Sequence, residues 1–349
     1  MLTTVGIFIG ILVGLILAHE FGHFITAKAF RVEVKEFGVG FPPRIVGRKW
    51  GETIYSLNAI PLGGFTKLAG EEDPEAPRSL AGKPTSIRLL VLSAGSLMNF
   101  LAPLALFTIA FTVPHDVVIG KVMVEEVAPN SPAAAVGISD GDTIIDINDK
   151  PINNTGDLQR YIQLNLGEET EITVTHHDLT QESFHLVPRW RPPEGEGAIG
   201  VTVKTIDAVT VRKSEPAWRA APLGAETCVE TFVLFKNGVL SMITGATPFE
   251  VRGPVGIAEM TGEVARAGLS PLLEFAAFLS INLGLINIFP LPALDGGRIA
   301  FVLLEKARGG KRIPPKIEGL IHLIGFALLI GVIIAITYTD ITRIISGGG

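Results

Sequence analysis

With 349 residues, 47% of them hydrophobic, a mean hydropathy of +0.42 and only 18% charged, the chain is more apolar than a soluble globular protein of its length. A net charge of −6 argues against a nucleic-acid binder built on a basic face. The single cysteine, Cys228, excludes an intramolecular disulfide, and its neighbours Glu226 and Glu230 have the wrong sign to activate a thiolate, so packing is its expected role.

The charged residues crowd into Arg31–Arg88, Lys121–Arg266 and Glu305–Lys316, leaving four apolar blocks: Thr4 to about Phe30, Ile87–Val113, Pro271–Leu304 and Ile317–Tyr338. Each reaches the ~20 residues that a helix needs to cross ~30 Å of hydrocarbon. The first block lacks the basic start and small-residue cleavage site of a secretory signal, so it is expected to stay attached. Basic residues gather in the loops after spans one and three, which places those loops in the cytoplasm and both termini, with the large middle segment, outside.

The first span closes on His19-Glu20-Phe21-Gly22-His23. Ionisable groups in hydrocarbon cost several kcal/mol unless paired or metal-bound, so this turn reads as a functional site. Counting ~1.5 Å per residue from Thr4 puts His19 about 22 Å deep, in the inner half of the bilayer. In H-E-x-x-H the two imidazoles project from one helix face and can grip one zinc ion, while Glu20, turned about 100° away, suits a general base acting on a metal-activated water.

The loop from Arg31 to Lys67 is rich in Gly and aromatics, with β-like alternation at Thr53–Leu57. One or two hairpins lying against the inner membrane surface are expected, tolerable at that depth only if they pack on protein or line a wet cavity. The Gly and β pattern between Gly38 and Gly64 further suggests a strand edge for an extended substrate segment.

Residues Val122–Val187 read as a compact mixed module: alternating valines, a Pro-Asn-Ser-Pro turn, an Ala-rich helical turn closed by Gly137, and a strand at Thr143–Ile147. A helix at about Thr155–Leu164 and strands at Glu171–Thr175 and Ser183–Val187 complete it. Its NSPAAAVGISDGDTIIDIN string resembles the central signature of PDZ domains. Between Trp218 and Gly245 the apolar run is interrupted by Glu226, Glu230 and Lys236, so an interfacial amphipathic helix is expected rather than a fifth span.

A catalytic zinc needs a third protein ligand. Asp295, in Asn287-Ile288-Phe289-Pro290-Leu291-Pro292-Ala293-Leu294-Asp295-Gly296-Gly297, stands out, because two prolines must break the helix there and two glycines permit close backbone approach. It lies 24 residues past Pro271, which overshoots the depth of His19 in a straight helix, but the break leaves the register adjustable. On its own it is as readily a helix N-cap. Among the other histidines, His176-His177 is expected at a surface turn.

HEFGH in the first span, NLGLINIFPLPALDGG in the third and the inserted PDZ-like module together resemble the bacterial site-2 protease family of intramembrane zinc metalloproteases. The likeness covers nearly the whole chain. It implies Zn²⁺ held by His19, His23 and Asp295, Glu20 as general base, and substrate contacts from Asn282 and Asn287 with Pro290 and Pro292 around them. It also places Gly95 and Asn99 of the second span near the catalytic centre. Amide side chains suit an unwinding helix, since they can satisfy backbone groups freed in lipid; the alternative for each is an interhelical hydrogen bond.

The expectation is therefore a membrane α-helical fold of four transmembrane helices with a cytoplasmic-side β-hairpin region and one inserted extracytoplasmic PDZ-like α+β domain. The parts are 1–113, 114–206 (PDZ-like), 207–270 (interfacial helix and connector) and 271–349. The resemblance implies cleavage of single-pass transmembrane proteins in the bacterial inner membrane, such as anti-sigma factors or signal-peptide remnants. A peptide C-terminus is a further partner for the PDZ-like part, which would either capture such an end or exclude substrates with untrimmed outer domains. Intramembrane His, Glu and Asp also mark ion paths, so a metal-ion transporter is one alternative, opposed by the small span count and the lack of an evident inverted repeat. A non-catalytic PDZ scaffold is the other.

Overall fold

A computed structural model describes residues 2–71, 73–246 and 252–346. The chain runs α1 (Leu2–Ala29), β1 (Val34–Trp50), β2 (Thr53–Leu68), α2 (Thr85–Thr112), β3 (His115–Val127), α3 (Pro132–Val136) and β4 (Thr143–Ile147). It continues through β5 (Lys150–Pro151), α4 (Thr155–Leu164), β6 (Thr170–Thr175), β7 (Gln181–Leu186) and β8 (Val201–Lys213). The helices α5 (Ala217–Ile243), α6 (Pro254–Ala267), α7 (Leu269–Ile288), α8 (Asp295–Ala307) and α9 (Pro315–Ile345) follow. The described residues form two compact units, one drawn from Met1–Ala110, Ala217–Gly224 and Val251–Gly349, the other from Phe111–Pro216 and Ala225–Glu250.

Four helical stretches in the first unit's α1, α2, α7 and α9 are long and apolar enough to cross a membrane: Thr3–Ala29, Thr85–Thr112, Leu269–Ile288 and Pro315–Ile345. The expected third span, Pro271–Leu304, is not continuous. Helix α7 stops at Ile288, Phe289 turns extended, Ala293 adopts a left-handed φ of 76°, and α8 restarts at Asp295. Prolines 290 and 292 cause the break, since neither can donate to a helical carbonyl.

The β1–β2 hairpin folds back on itself. Glu36–Val39 pairs on one side with Gly64–Lys67 and on the other with Ile54–Leu57, which pairs in turn with Val46–Lys49. Thr53–Leu57 is thus interior. The outer segment Gly64–Lys67 keeps one edge unpaired with any strand among the described residues. A buried cluster of Ala27, Val32, Val34, Leu68, Leu80, Val91, Leu92 and Val302 ties α1, the sheet, α2 and α8 together.

The second unit is an antiparallel sheet in the order β7-β6-β4-β3-β8, with β5 on β4. Ser131 caps α3 by accepting from the Ala134 N–H, and Asn154 caps α4 through Asp157 N. Its core is aliphatic, centred on Val122, Val124, Ile144, Ile147, Ile172 and Val174. The expected boundary at 206 falls inside β8, because that strand continues to Lys213 in register with His115 on β3. On α5, two of the three charges that interrupt the apolar run, and the nearby Asn237, have protein partners. Glu226 pairs with Lys150, Glu230 with Arg160 at 2.6 Å, and Asn237 donates to the Gln163 carbonyl at 2.7 Å.

Candidate metal centre

Histidines 19 and 23 stand one turn apart on α1, both over 90% buried, with ring centroids 4.9 Å apart. Asp295 begins α8, and Leu294, not Asp295, is the N-cap, so its carboxylate is turned to the histidines rather than to its own helix. The three donor atoms form a triangle: His19 Nε2 to His23 Nε2 3.2 Å, and each nitrogen 3.0 Å from Asp295 Oδ2. Ligands at about 2.0–2.1 Å from a tetrahedral ion lie about 3.3 Å from one another, close to these edges. This is the one group of three metal-ligating side chains found among the described residues.

The far sides of the rings fix the tautomers. His23 Nδ1 donates to the Val91 carbonyl at 2.8 Å, which leaves its Nε2 lone pair facing the other two donors. At His19, Nδ1 faces the amide of Asn99 at 3.3 Å and that of Asn287 at 3.5 Å. With the amide of Asn99 turned over, its buried and otherwise unpartnered Oδ1 accepts the His19 Nδ1 proton. In those tautomers the three donor atoms turn lone pairs toward one centre, an arrangement that suits a bound cation. Gly95 keeps the space clear. A Cβ there would lie 2.6 Å from His19 Nε2 and closer still to His23 Nε2.

A cavity of about 520 Å³ opens beside the triangle, lined by Glu20, His23 and Asp295 together with Phe65 and Thr66 of the outer strand segment and His322 and Phe326 of α9. Thr66 Oγ1 donates to the Glu20 carbonyl at 3.0 Å, so the strand rests on the turn that carries the glutamate.

The remaining expected residues divide. Asn99 is fully buried against His19, its amide 3.3 Å from Nδ1. Asn282 bonds back to the Phe278 carbonyl at 2.8 Å, away from the triangle, while Asn287 reaches it. Pro290 is exposed, and Pro292 packs on Gly325 of α9 rather than lining the cavity. Gly296 and Gly297 do lie against the carbonyls of Phe289 and Leu291, where a side chain has no room. His176 in the second unit is bonded to Asp142.

Sequence reasoning assigns no role to three groups: Thr66, the Arg298–Glu71 pair at 2.5 Å, and His322, whose Nδ1 accepts the Ala293 N–H at 2.9 Å and so pins the left-handed turn before Asp295. Of these, only Arg298 carries a signal, as a charge one turn past Asp295.

Apolar helices around a site of two imidazoles and a carboxylate, with a second carboxylate beside them, define a multi-pass membrane metalloenzyme. The model of peptidase family M50 matches residues 7–332. Zinc metalloprotease RasP of Oceanobacillus iheyensis is 30% identical over 427 aligned positions, covering 98% of this chain and 100% of the relative. RasP of Geobacillus kaustophilus is 29% identical, covering 96% and 97%. A Clostridium acetobutylicum protein named as a presumed zinc metalloprotease is 37% identical over 332 residues, 94% of each chain. The chain belongs to peptidase family M50, the site-2 protease family. It is accordingly a zinc metalloendopeptidase rather than a transporter or a scaffold.

Proposed function

We propose that the protein cuts single-pass transmembrane proteins within or near the membrane, with His19, His23 and Asp295 as the zinc ligands and Glu20 as the general base. The observation that carries this reading is the triangle of His19, His23 and Asp295 donors beside a cavity that Glu20 and the outer strand segment also line. Bound zinc would polarise the scissile carbonyl and make water acidic enough to lose a proton near pH 7. Glu20 takes that proton and returns it to the leaving nitrogen. A helical substrate must first unwind, and the outer edge of Gly64–Lys67 offers it backbone partners as an added strand. Asn287, the more weakly placed of the two amides at His19, is free to bond a peptide group of the extended segment.

The second unit, read as PDZ-like from its signature string, acts as a gate against substrates with untrimmed outer domains. Deleting Val122–Val187 would then admit untrimmed substrates, whereas loss of all cleavage would favour capture of a peptide end. The basic loops set its orientation in the bacterial inner membrane, with that unit and both termini outside.

The test is detergent-solubilised full-length protein with a single-pass model substrate, comparing wild type, Glu20→Gln and chelator-treated samples. Cleavage is expected to vanish in both treatments and to return when zinc is restored to the wild type. Cleavage by Glu20→Gln at the wild-type rate would remove Glu20 from the role.

A further inference from the structure

Outside the metal triangle, the described residues lining the cavity include an ion pair with no part in the proposed metal binding or proton transfer. Arg298 Nη1 donates to Glu71 Oε2 at 2.5 Å, and the other oxygen of the same carboxylate accepts the N–H of Leu68 at 3.1 Å. Leu68 ends β2, directly after the outer segment Gly64–Lys67. Arg298 stands three residues past Asp295, on the same face of α8.

We propose that Arg298 and Glu71 form a latch that fixes the outer strand segment against the turn presenting Asp295, and so sets the register in which an extended substrate meets the metal site. This rests on the reading of Gly64–Lys67 as the strand to which substrate adds.

The segment has two tethers beyond its pairing with β1. Thr66 holds it to the turn of α1 that carries Glu20, and Leu68 holds it through Glu71 to the helix that carries Asp295. The strand is strung between the base and a metal ligand. Precision matters here, because an added strand slips in steps of two residues, about 6.5–7 Å, while the reacting atoms must meet at about 3–3.5 Å. An arginine suits such a latch because its planar fork holds direction as well as charge, which a lysine ammonium does not. The pair is partly exposed, so its worth lies in alignment more than in stability. Both are positioning residues, and neither needs to touch the scissile bond.

The test compares wild type, Arg298→Met, Arg298→Lys, Glu71→Gln and the Arg298→Met/Glu71→Gln double variant as full-length protein. Three readouts are needed: cleavage kinetics on a synthetic single-pass peptide with helix-weakening residues at midspan, zinc per chain, and hydrogen exchange over Gly64–Leu68. The latch predicts that each single loss lowers kcat about tenfold with KM within about twofold, that the double variant is no worse than the worse single, and that Arg298→Lys recovers part of the loss. Zinc content stays at wild-type level, and exchange over Gly64–Leu68 quickens in each latch variant while α1 and α2 are unchanged.

Additive losses, unchanged exchange, or a fall in zinc content would overturn the latch, the last by assigning Arg298 to the support of Asp295. Cleavage retained by Glu20→Gln in the same assay would overturn the protease-site reading instead, and the exchange arm would still decide whether the pair holds the strand.

Discussion

Asn99 places its amide 3.3 Å from the Nδ1 of His19, with no surface exposed. A second-span residue thus meets a proposed first-span ligand. Partners of this kind fix the ring and raise its basicity, and losing one typically weakens metal binding about 10- to 100-fold. Asn99→Ala is expected to show that loss in a zinc-chelator competition. Asn99→Asp, which keeps an acceptor for the Nδ1 proton, should stay near wild type. Equal loss in both variants would mean that Asn99 serves packing alone.

Gly95 sets two rules of physical chemistry against each other. In a helix interior, alanine is preferred to glycine by about 0.8–1 kcal/mol, so Gly95→Ala should make α2 a better helix. The added methyl, however, would press into His19 Nε2 at 2.6 Å. The expected result is protein that keeps its helix content but carries little zinc and cuts no substrate, since the buried histidine rings must move to admit the methyl. Metal analysis beside a melting curve separates the two effects. Full zinc loading would show that the ligand triangle has room to shift.

In the second unit, His176 is bonded through Nδ1 to Asp142 at 2.8 Å and faces Glu182 at 3.4 Å, with the Phe184 ring edge-on. The hydrogen bond to Asp142, then the charges of Asp142 and Glu182, raise its pKa above the ordinary 6.5. A raised value in the folded state favours folding fully below pH 6.5, and the contribution fades as pH climbs through the raised value. His176→Gln should therefore lower the thermal stability of the full-length protein most in mildly acidic buffer and least at alkaline pH. Asp142→Asn should return the imidazole titration, followed by NMR, toward 6.5. A stability difference that grows with pH would contradict the pairing.

How far the sequence reveals this site depends on how local the interactions are. The His19–His23 grip is legible because an i, i+4 spacing on a helix needs no other information. The Pro290–Pro292 interruption marks where α7 must end, which puts Asp295 at the start of a new helix. The β region is legible as strands but not as a sheet. Which segment lies outermost follows from pairing Glu36–Val39 on both sides, and no turn signal encodes that. Helix α6 escapes a reading of the sequence because its anchor is remote: the Gly256 N–H is bonded by the buried carboxylate of Asp340, 84 positions along the chain. The Arg298–Glu71 pair, 227 positions apart, is illegible for the same reason.

The position of the strand edge changes where substrate addition should be sought. Thr53–Leu57, the segment with the clearest β pattern in the sequence, has both edges occupied, so proline there would damage the sheet whether or not substrate binds beside it. Gly64–Lys67 has one edge paired with no strand among the described residues and lends Phe65, Thr66 and Lys67 to the cavity lining, and Val46–Trp50 forms the opposite edge of the same sheet. A substrate held as an added strand must slow amide exchange on the first edge and leave the second untouched. Using Glu20→Gln to hold uncut substrate, the measurement is hydrogen exchange with and without a single-pass peptide. Slowing by about tenfold or more over Gly64–Leu68 with no change over Val46–Trp50 is expected. Equal slowing at both edges would indicate general tightening of the sheet, and slowing at neither would place the extended substrate elsewhere in the cavity.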